Sequence, residues 1–224
     1  MRKASPTKSV KSPLITGNVY HLFNRGVAKQ DIFKTPDDCR HFLTTLSFYL
    51  EASPTAQLSK TDPEIIKDML ETPAENPLTS ILAYCLMSNH FHLIAKQLVD
   101  DGIVSFIRRA LDSYTRYFNT KYDRVGTIFQ GRYKNVIIEN SEQLMHLSRY
   151  IHLNPFIGRI VQKPEQYIWS SYQLYLKNKT NRLCDPSMVL ELFDSSPQKY
   201  QEFVDDYSEY ARSLADLKSE LLLE

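Results

Sequence analysis

Residues 80–97, "SILAYCLMSNHFHLIAKQ", constrain the fold of this 224-residue chain more than any other stretch. They read as two apolar core strands joined by a hairpin turn near Ser88 and Asn89. The second strand opens with His90 and His92. Alternate residues of a strand share a face, about 7 Å apart, so both imidazoles project together while Phe91 and Leu93 face the other way. A plain alternative is that each ring only hydrogen-bonds a neighbour. As a same-face pair, however, they supply two coordination positions of the commonest metal-ligand type. A third ligand and a reacting group must come from elsewhere in the chain.

The surrounding pattern alternates strand and helix. "NVYHLFNRG", Asn18 to Gly26, alternates as a first strand ending in a glycine turn. "PDDCRHFLTTLSFYLEA" follows as a helix, with Pro36 and two Asp residues at its start and Phe42, Leu43, Leu46 and Leu50 at helical spacing. Residues 53–79 are polar and proline-rich, with one short helical candidate around "DPEIIKDML". They read as an inserted surface loop whose removal should cost little stability. After the hairpin, residues 103–122 fit a helix with an apolar stripe. "GTIFQGRYKNVIIEN" reads as a strand pair or bent strand, and "SEQLMHLSRYIHLNPF" as a helix capped by Ser141 and broken at Pro155. The order predicts an α+β fold: a ferredoxin-like, RRM-like βαββαβ core with one antiparallel sheet and a further helix after the last strand. Residues 1–15 read as a flexible basic arm, 16–160 as the main domain and 161–224 as a mainly helical extension.

Hydrophobic residues make up 42% of the chain, enough for a real core. Cys39, Cys85 and Cys184 are scattered, odd in number and without CxxC spacing, which suggests neither a disulfide framework nor a zinc ribbon and fits a reducing cytoplasm. The N-terminal stretch lacks an apolar export segment and no run is long enough to span a membrane, so the expectation is a chain neither exported nor anchored. Net charge is only +1, yet residues 103–136 hold seven bases and two acids, whereas 190–224 hold nine acids and three bases. A basic middle points to a polyanion, although such runs are often only solvated surface.

In "HLSRYIHLNP", Tyr150 and Asn154 are four apart and share one helix face, one turn from each other. If that face meets the histidine pair, two imidazoles, an amide oxygen and a phenol converge. Alternatively, Tyr150 is a partly buried aromatic and Asn154 caps the helix before Pro155. Here a resemblance bears on the choice. "NHFHL" resembles the His-hydrophobe-His signature of HUH endonucleases, and "RYIHLNP" resembles the Tyr-x-x-x-Asn-Pro helix of their single-tyrosine transposases. With "YHLFNRG", "GTIFQGRYK" and "WSSYQLY" in the same order, the chain is similar to IS200-like transposases, and among them to the bacterial REP-associated tyrosine transposases, over roughly Val19 to Tyr175.

The resemblance implies that His90 and His92 are metal ligands, Tyr150 the nucleophile, and Asn154 the group completing the site. It implies a Mg2+ or Mn2+ cofactor and a cytoplasmic, nucleoid-associated enzyme that cuts and rejoins DNA through a 5′-phosphotyrosine. Single-stranded or hairpin DNA is the expected partner, with Arg25, Arg108, Arg109, Arg116, Arg132 and Lys134 as candidate phosphate contacts and either a monomer or a homodimer as the working form. Two features depart from the family pattern: the length of the 53–79 insert, and Ser88 where many relatives have Pro. The competing readings are a non-catalytic RRM-like nucleic-acid-binding module and a DNA-hairpin-binding regulator.

Overall fold

The apolar hairpin forms the middle of the molecule. In the computed structural model, which describes residues 14–52 and 57–221, β2 (Thr79–Met87) and β3 (His90–Gln97) pair antiparallel around the Ser88–Asn89 turn, with Met87 opposite His90. β1 (Val19–Arg25) lies along the other edge of β3, and β4 (Lys134–Ile138) along the outer edge of β1. Among the described residues this makes one four-stranded antiparallel sheet of order β2-β3-β1-β4. α1 (Pro36–Tyr49) and α3 (Gly102–Lys121) provide the connections expected of the βαββαβ core. Residues 1–13 of the basic arm lie outside the described residues.

One sheet face carries Tyr20, Leu22, Phe91, Leu93 and Ala95, buried beneath Phe42 and Leu46 of α1 and Phe106, Ala110, Tyr114 and Phe118 of α3. α1 begins where the sequence places it. Pro36 occupies the first turn, and Thr35 and Asp38 make a reciprocal capping box. The buried Asp38 carboxylate also accepts bonds from Lys121 Nζ at 2.6 Å and Tyr122 Oη at 2.7 Å, tying the two helices together.

Strand alternation turns His21, Phe23, Cys85, Met87, His90, His92 and Ile94 to the opposite face. Part of that face is covered by α4 (Ser141–Ile157), backed by α5 (Tyr172–Lys177), α6 (Ser187–Leu190) and α7 (Pro197–Leu221). Ile151, Leu153 and Phe156 of α4 join Cys85, Met87 and Ile94 in a second core that includes Tyr200 and Val204 of α7. The C-terminal segment therefore completes the domain. His152, fully buried, links it through bonds to Tyr200 Oη at 2.7 Å and Ser171 Oγ at 2.8 Å.

Three local expectations change. α4 is capped by Asn140, whose side chain accepts the Gln143 N–H, rather than by Ser141. It also runs through Pro155 to Ile157, because a proline in the last turn forfeits a single backbone bond there. The stretch after α3 yields one short strand, β4, preceded by an irregular loop in which Phe129 forms an isolated bridge with Gly26, just past the end of β1.

The insert is not a free surface loop. It contains α2 (Pro63–Glu71), buries Leu58, and lays Ile66, Met69 and Ala74 against the first core. Sequence alone could not reveal its clamp: Arg182, 5% exposed, donates to the carbonyls of Ser47, Thr72 and Pro73 and pairs with Glu51 at 2.9 Å. Arg109 adds bonds to the carbonyls of Glu51 and Ala52. Replacing Arg182 with alanine removes the charge partner of the half-buried Glu51 carboxylate, leaving it the Glu75 and Asn76 N–H donors, and takes a donor from three carbonyls, so urea unfolding should report a loss of about 3 kcal/mol. Excising residues 57–76 with a glycine linker should likewise lower the unfolding midpoint.

Candidate active site

The open part of the second sheet face, beside α4, forms a cleft of about 330 Å3. His90 and His92 project into it from β3, with their rings nearly perpendicular and their centroids 5.0 Å apart. Across from them stands Tyr150 of α4, its ring edge-on to His92 at 5.7 Å. Arg25, Phe23 and Asn24 enter from β1 and its end, Lys134 from β4, and Gln130 from the preceding loop. Two larger grooves, about 540 and 570 Å3, lie along the insert and contain no histidine or tyrosine.

The register of the sheet builds this cluster. Pairing β1 with β3 sets Phe23 opposite His92 and Arg25 opposite His90, and pairing β1 with β4 sets Lys134 beside Phe23. The Lys134 ammonium sits 5.9 Å from the Phe23 ring centroid. The loop before β4 is held by Gln130, whose N–H donates to the Arg25 carbonyl at 2.7 Å, and by the Asn24 amide on the Gly131 carbonyl. Gly131 has φ of 72°, a left-handed turn suited to glycine.

Two residues that sequence reasoning passed over support the histidines. His21 of β1 stacks against Phe23 and His92, and its Nε2 lies 2.9 Å from His92 Nδ1. Asn89, in the hairpin turn, holds its Oδ1 2.7 Å from His90 Nδ1. The alternation of "VYHLFNR" puts His21 on the face of Phe23 and Arg25, but only the pairing of β1 with β3 puts it beside His92.

Burial pushes His21 down to about 4, burial and the Arg25 charge push His90 to about 4, and burial with the neighbouring His21 and His90 pushes His92 to about 3. All three rings are therefore neutral at pH 7 and carry lone pairs. Among the described residues no three His, Cys, Asp or Glu side chains group as metal ligands. The donor set suits a divalent cation held by two imidazoles with further oxygen ligands, and it is too poor in nitrogen and sulfur for a tight structural zinc site.

The remaining sequence candidates divide by location. Arg25 and Lys134 line the cleft, and the exposed Arg132 lies in the loop that enters it. Arg108, Arg109 and Arg116 belong to α3, which covers the other face of the sheet, and Arg109 is engaged with Glu51 and Ala52. Asn154 lies one turn beyond Tyr150, where its amide donates to the Tyr150 carbonyl at 2.9 Å, and it does not line the cleft.

Residues 55–154 match the family described as "Transposase IS200 like". Over that span, a little under half of the chain, the sequence is similar to IS200-like transposases. The matched span contains the hairpin with both histidines and runs to Asn154, so it takes in Tyr150 as well. The fold of the chain is similar to that of a solved REP-associated tyrosine transposase bound to a REP hairpin, with a TM-score of 0.53 at 17% identity over 76% of this chain and 86% of that one. No curated protein matches its sequence. No described helix is long and apolar enough to cross a membrane.

The depressed histidines fix the sign of an acid effect. An unfolded histidine takes up its proton near pH 6.5, whereas the folded His21 and His90 do so only near pH 4. Between those values the unfolded state binds more protons, so stability is full above about pH 6.5 and declines on acidification. The decline should be up to about 1.4 kcal/mol per pH unit for each ring. Urea unfolding at pH 7 and pH 5 should show it, and an NMR titration should find none of the three site rings protonating above pH 5.

Proposed function

We propose that this chain is an IS200-like transposase that cuts and rejoins single-stranded, hairpin-borne DNA, with Tyr150 as the nucleophile and with His90, His92 and Asn154 serving a Mg2+ or Mn2+ ion. The observation that carries the reading is the position of Tyr150: 46% exposed, it faces both neutral imidazoles across one cleft rimmed by Arg25 and Lys134. A phosphodiester entering that cleft meets a nucleophile, two lone-pair donors and two cations together.

Attack by the Tyr150 phenol oxygen on phosphorus forms the tyrosyl–phosphate bond as the bond from phosphorus to the 3′ oxygen breaks. The phenol proton leaves to solvent and the departing 3′ oxygen takes one up. The phosphoester is conserved, so another 3′-hydroxyl can reverse the step without external energy. A bound divalent cation supplies charge stabilisation to the phosphoryl oxygens in the transition state. Arg25 and Lys134 hold the flanking phosphates and favour the tyrosine anion through their charge. For Asn154 to act as a ligand, its Oδ1 has to turn into the cleft, which Asn154 does not line. Hairpin DNA is favoured because the solved protein of similar fold is bound to a REP hairpin.

A binding-only, RRM-like reading needs an open sheet face on which bases can stack. Here α4 packs over β2 and β3 on the face with the histidines, which favours the nuclease reading.

With 3′-end-labelled single-stranded hairpin DNA and Mn2+, the protein should form a denaturation-resistant adduct. Tyr150→Phe should abolish the adduct while changing DNA affinity by no more than about twofold, because only the nucleophilic oxygen is removed. Undiminished adduct from that variant overturns the assignment. Charge reversal separates the two faces of the sheet. Arg25→Glu or Lys134→Glu should weaken single-strand binding about tenfold at low salt and flatten its salt dependence, while Arg108→Glu should cost less than about threefold. An equal loss at Arg108 would mean that DNA also runs over α3.

A further inference from the structure

An imidazole can ligate a cation only through a nitrogen that carries no proton, and a neutral ring has one such nitrogen. Which nitrogen it is depends on the partner of the other. Both site histidines have their Nδ1 atoms engaged by polar side chains, and among the described residues neither Nε2 atom has a protein hydrogen-bond partner.

At His90 the chemistry is unambiguous. Asn89 donates its Nδ2 to the Lys29 carbonyl at 3.0 Å, and that bond fixes which end of the amide faces the ring. The end facing His90 is the carbonyl oxygen, which only accepts, so the 2.7 Å contact requires a proton on His90 Nδ1. The Lys29 carbonyl is itself set by a constrained turn: Ala28 and Lys29 both adopt left-handed backbone angles, with φ of 52° and 60°. Such angles carry a local cost for residues with a Cβ and persist where surrounding contacts enforce them. At His92 the partner is another imidazole. The 2.9 Å contact between His21 Nε2 and His92 Nδ1 holds one proton between two nitrogens. With that proton on His92, the His92 Nε2 lone pair is free, and His21 carries its own proton on Nδ1.

We infer that Asn89 and His21 are positioning residues that keep the protons of His90 and His92 on Nδ1, so that both Nε2 lone pairs are available to a divalent cation. The inference rests on the metal-dependent reading of the cleft. It adds two residues that act through the ligands without touching the cation, and it gives the hairpin turn and β1 a role in the chemistry.

The test reads the proton position directly. Long-range proton–nitrogen NMR of the full, metal-free protein at pH 7.5 should show His90 and His92 protonated on Nδ1 and bare on Nε2. His21→Phe keeps the stacking on Phe23 but removes the acceptor, whereas His21→Gln restores an acceptor oxygen. The phenylalanine variant should shift His92 toward the Nε2-protonated form and lower Mn2+ affinity, followed by electron paramagnetic resonance, about tenfold, while the glutamine variant recovers most of both. Asn89→Leu should do the same to His90, with circular dichroism verifying the fold. An Nε2 proton on either ring of the wild-type protein overturns the inference, as does unchanged Mn2+ affinity in both His21→Phe and Asn89→Leu. Wild-type protein that binds no Mn2+ while showing the expected Nδ1 protons overturns the metal-dependent reading instead.

Discussion

β3 is hydrogen-bonded along both edges, to β2 and to β1, and the rest of the molecule depends on that double pairing. A central strand has one side-chain face on each side of the sheet, and here the faces have different tasks. Phe91, Leu93 and Ala95 anchor the core under α1 and α3, while His90 and His92 look toward α4. A slip of one residue in the register would bury the imidazoles among phenylalanines and expose Phe91 and Leu93. The apolar side of the strand therefore enforces the direction of its polar side. Burial of the first face is what makes the geometry of the second reproducible.

The second face is only half covered, and this opening permits chemistry. α4 places Ile151, Leu153 and Phe156 over Cys85, Met87 and Ile94, and α7 backs it through Tyr200 and Val204. Tyr150 sits at the border, on the turn of α4 where packing gives way to the cleft. The buried His152, bonded to Tyr200 and Ser171, keeps α4 from sliding relative to the C-terminal helices. The position of the nucleophile candidate thus rests on residues that come as much as 50 positions later in the chain. A segment that reads as an appendage in sequence is part of what holds Tyr150 in place.

The electrostatics follow from the same half-covered state. Removal from water keeps His21, His90 and His92 neutral at pH 7, while Arg25 and Lys134 stay at the mouth of the cleft. Neutral imidazoles beside exposed cations divide the work: the cations attract an anion approaching from solvent, while the unprotonated ring nitrogens remain able to ligate a metal ion. α3 carries three arginines on the opposite side of the sheet, one of them spent on carbonyls at the end of α1. The basic charge of residues 103–136 is therefore not one surface.

Sequence by itself determined the order of elements, the hairpin and its turn, the shared face of His90 and His92, and the shared helix face of Tyr150 and Asn154, because each follows from local periodicity. The resemblance to IS200-like transposases followed from the same short motifs, and the match over residues 55–154 agrees with it. Only tertiary structure decided which charges meet the cleft, since Arg25 and Arg108 look alike in sequence and lie on opposite faces of the sheet. It also decided the role of the insert, whose few apolar residues suffice once Arg182, more than 100 positions later, caps its carbonyls. His21 became legible only with the strand register, because its contact with His92, 71 positions away, is a property of pairing that no local pattern encodes, and the amide of Asn89 is oriented toward His90 by Lys29, 60 positions earlier.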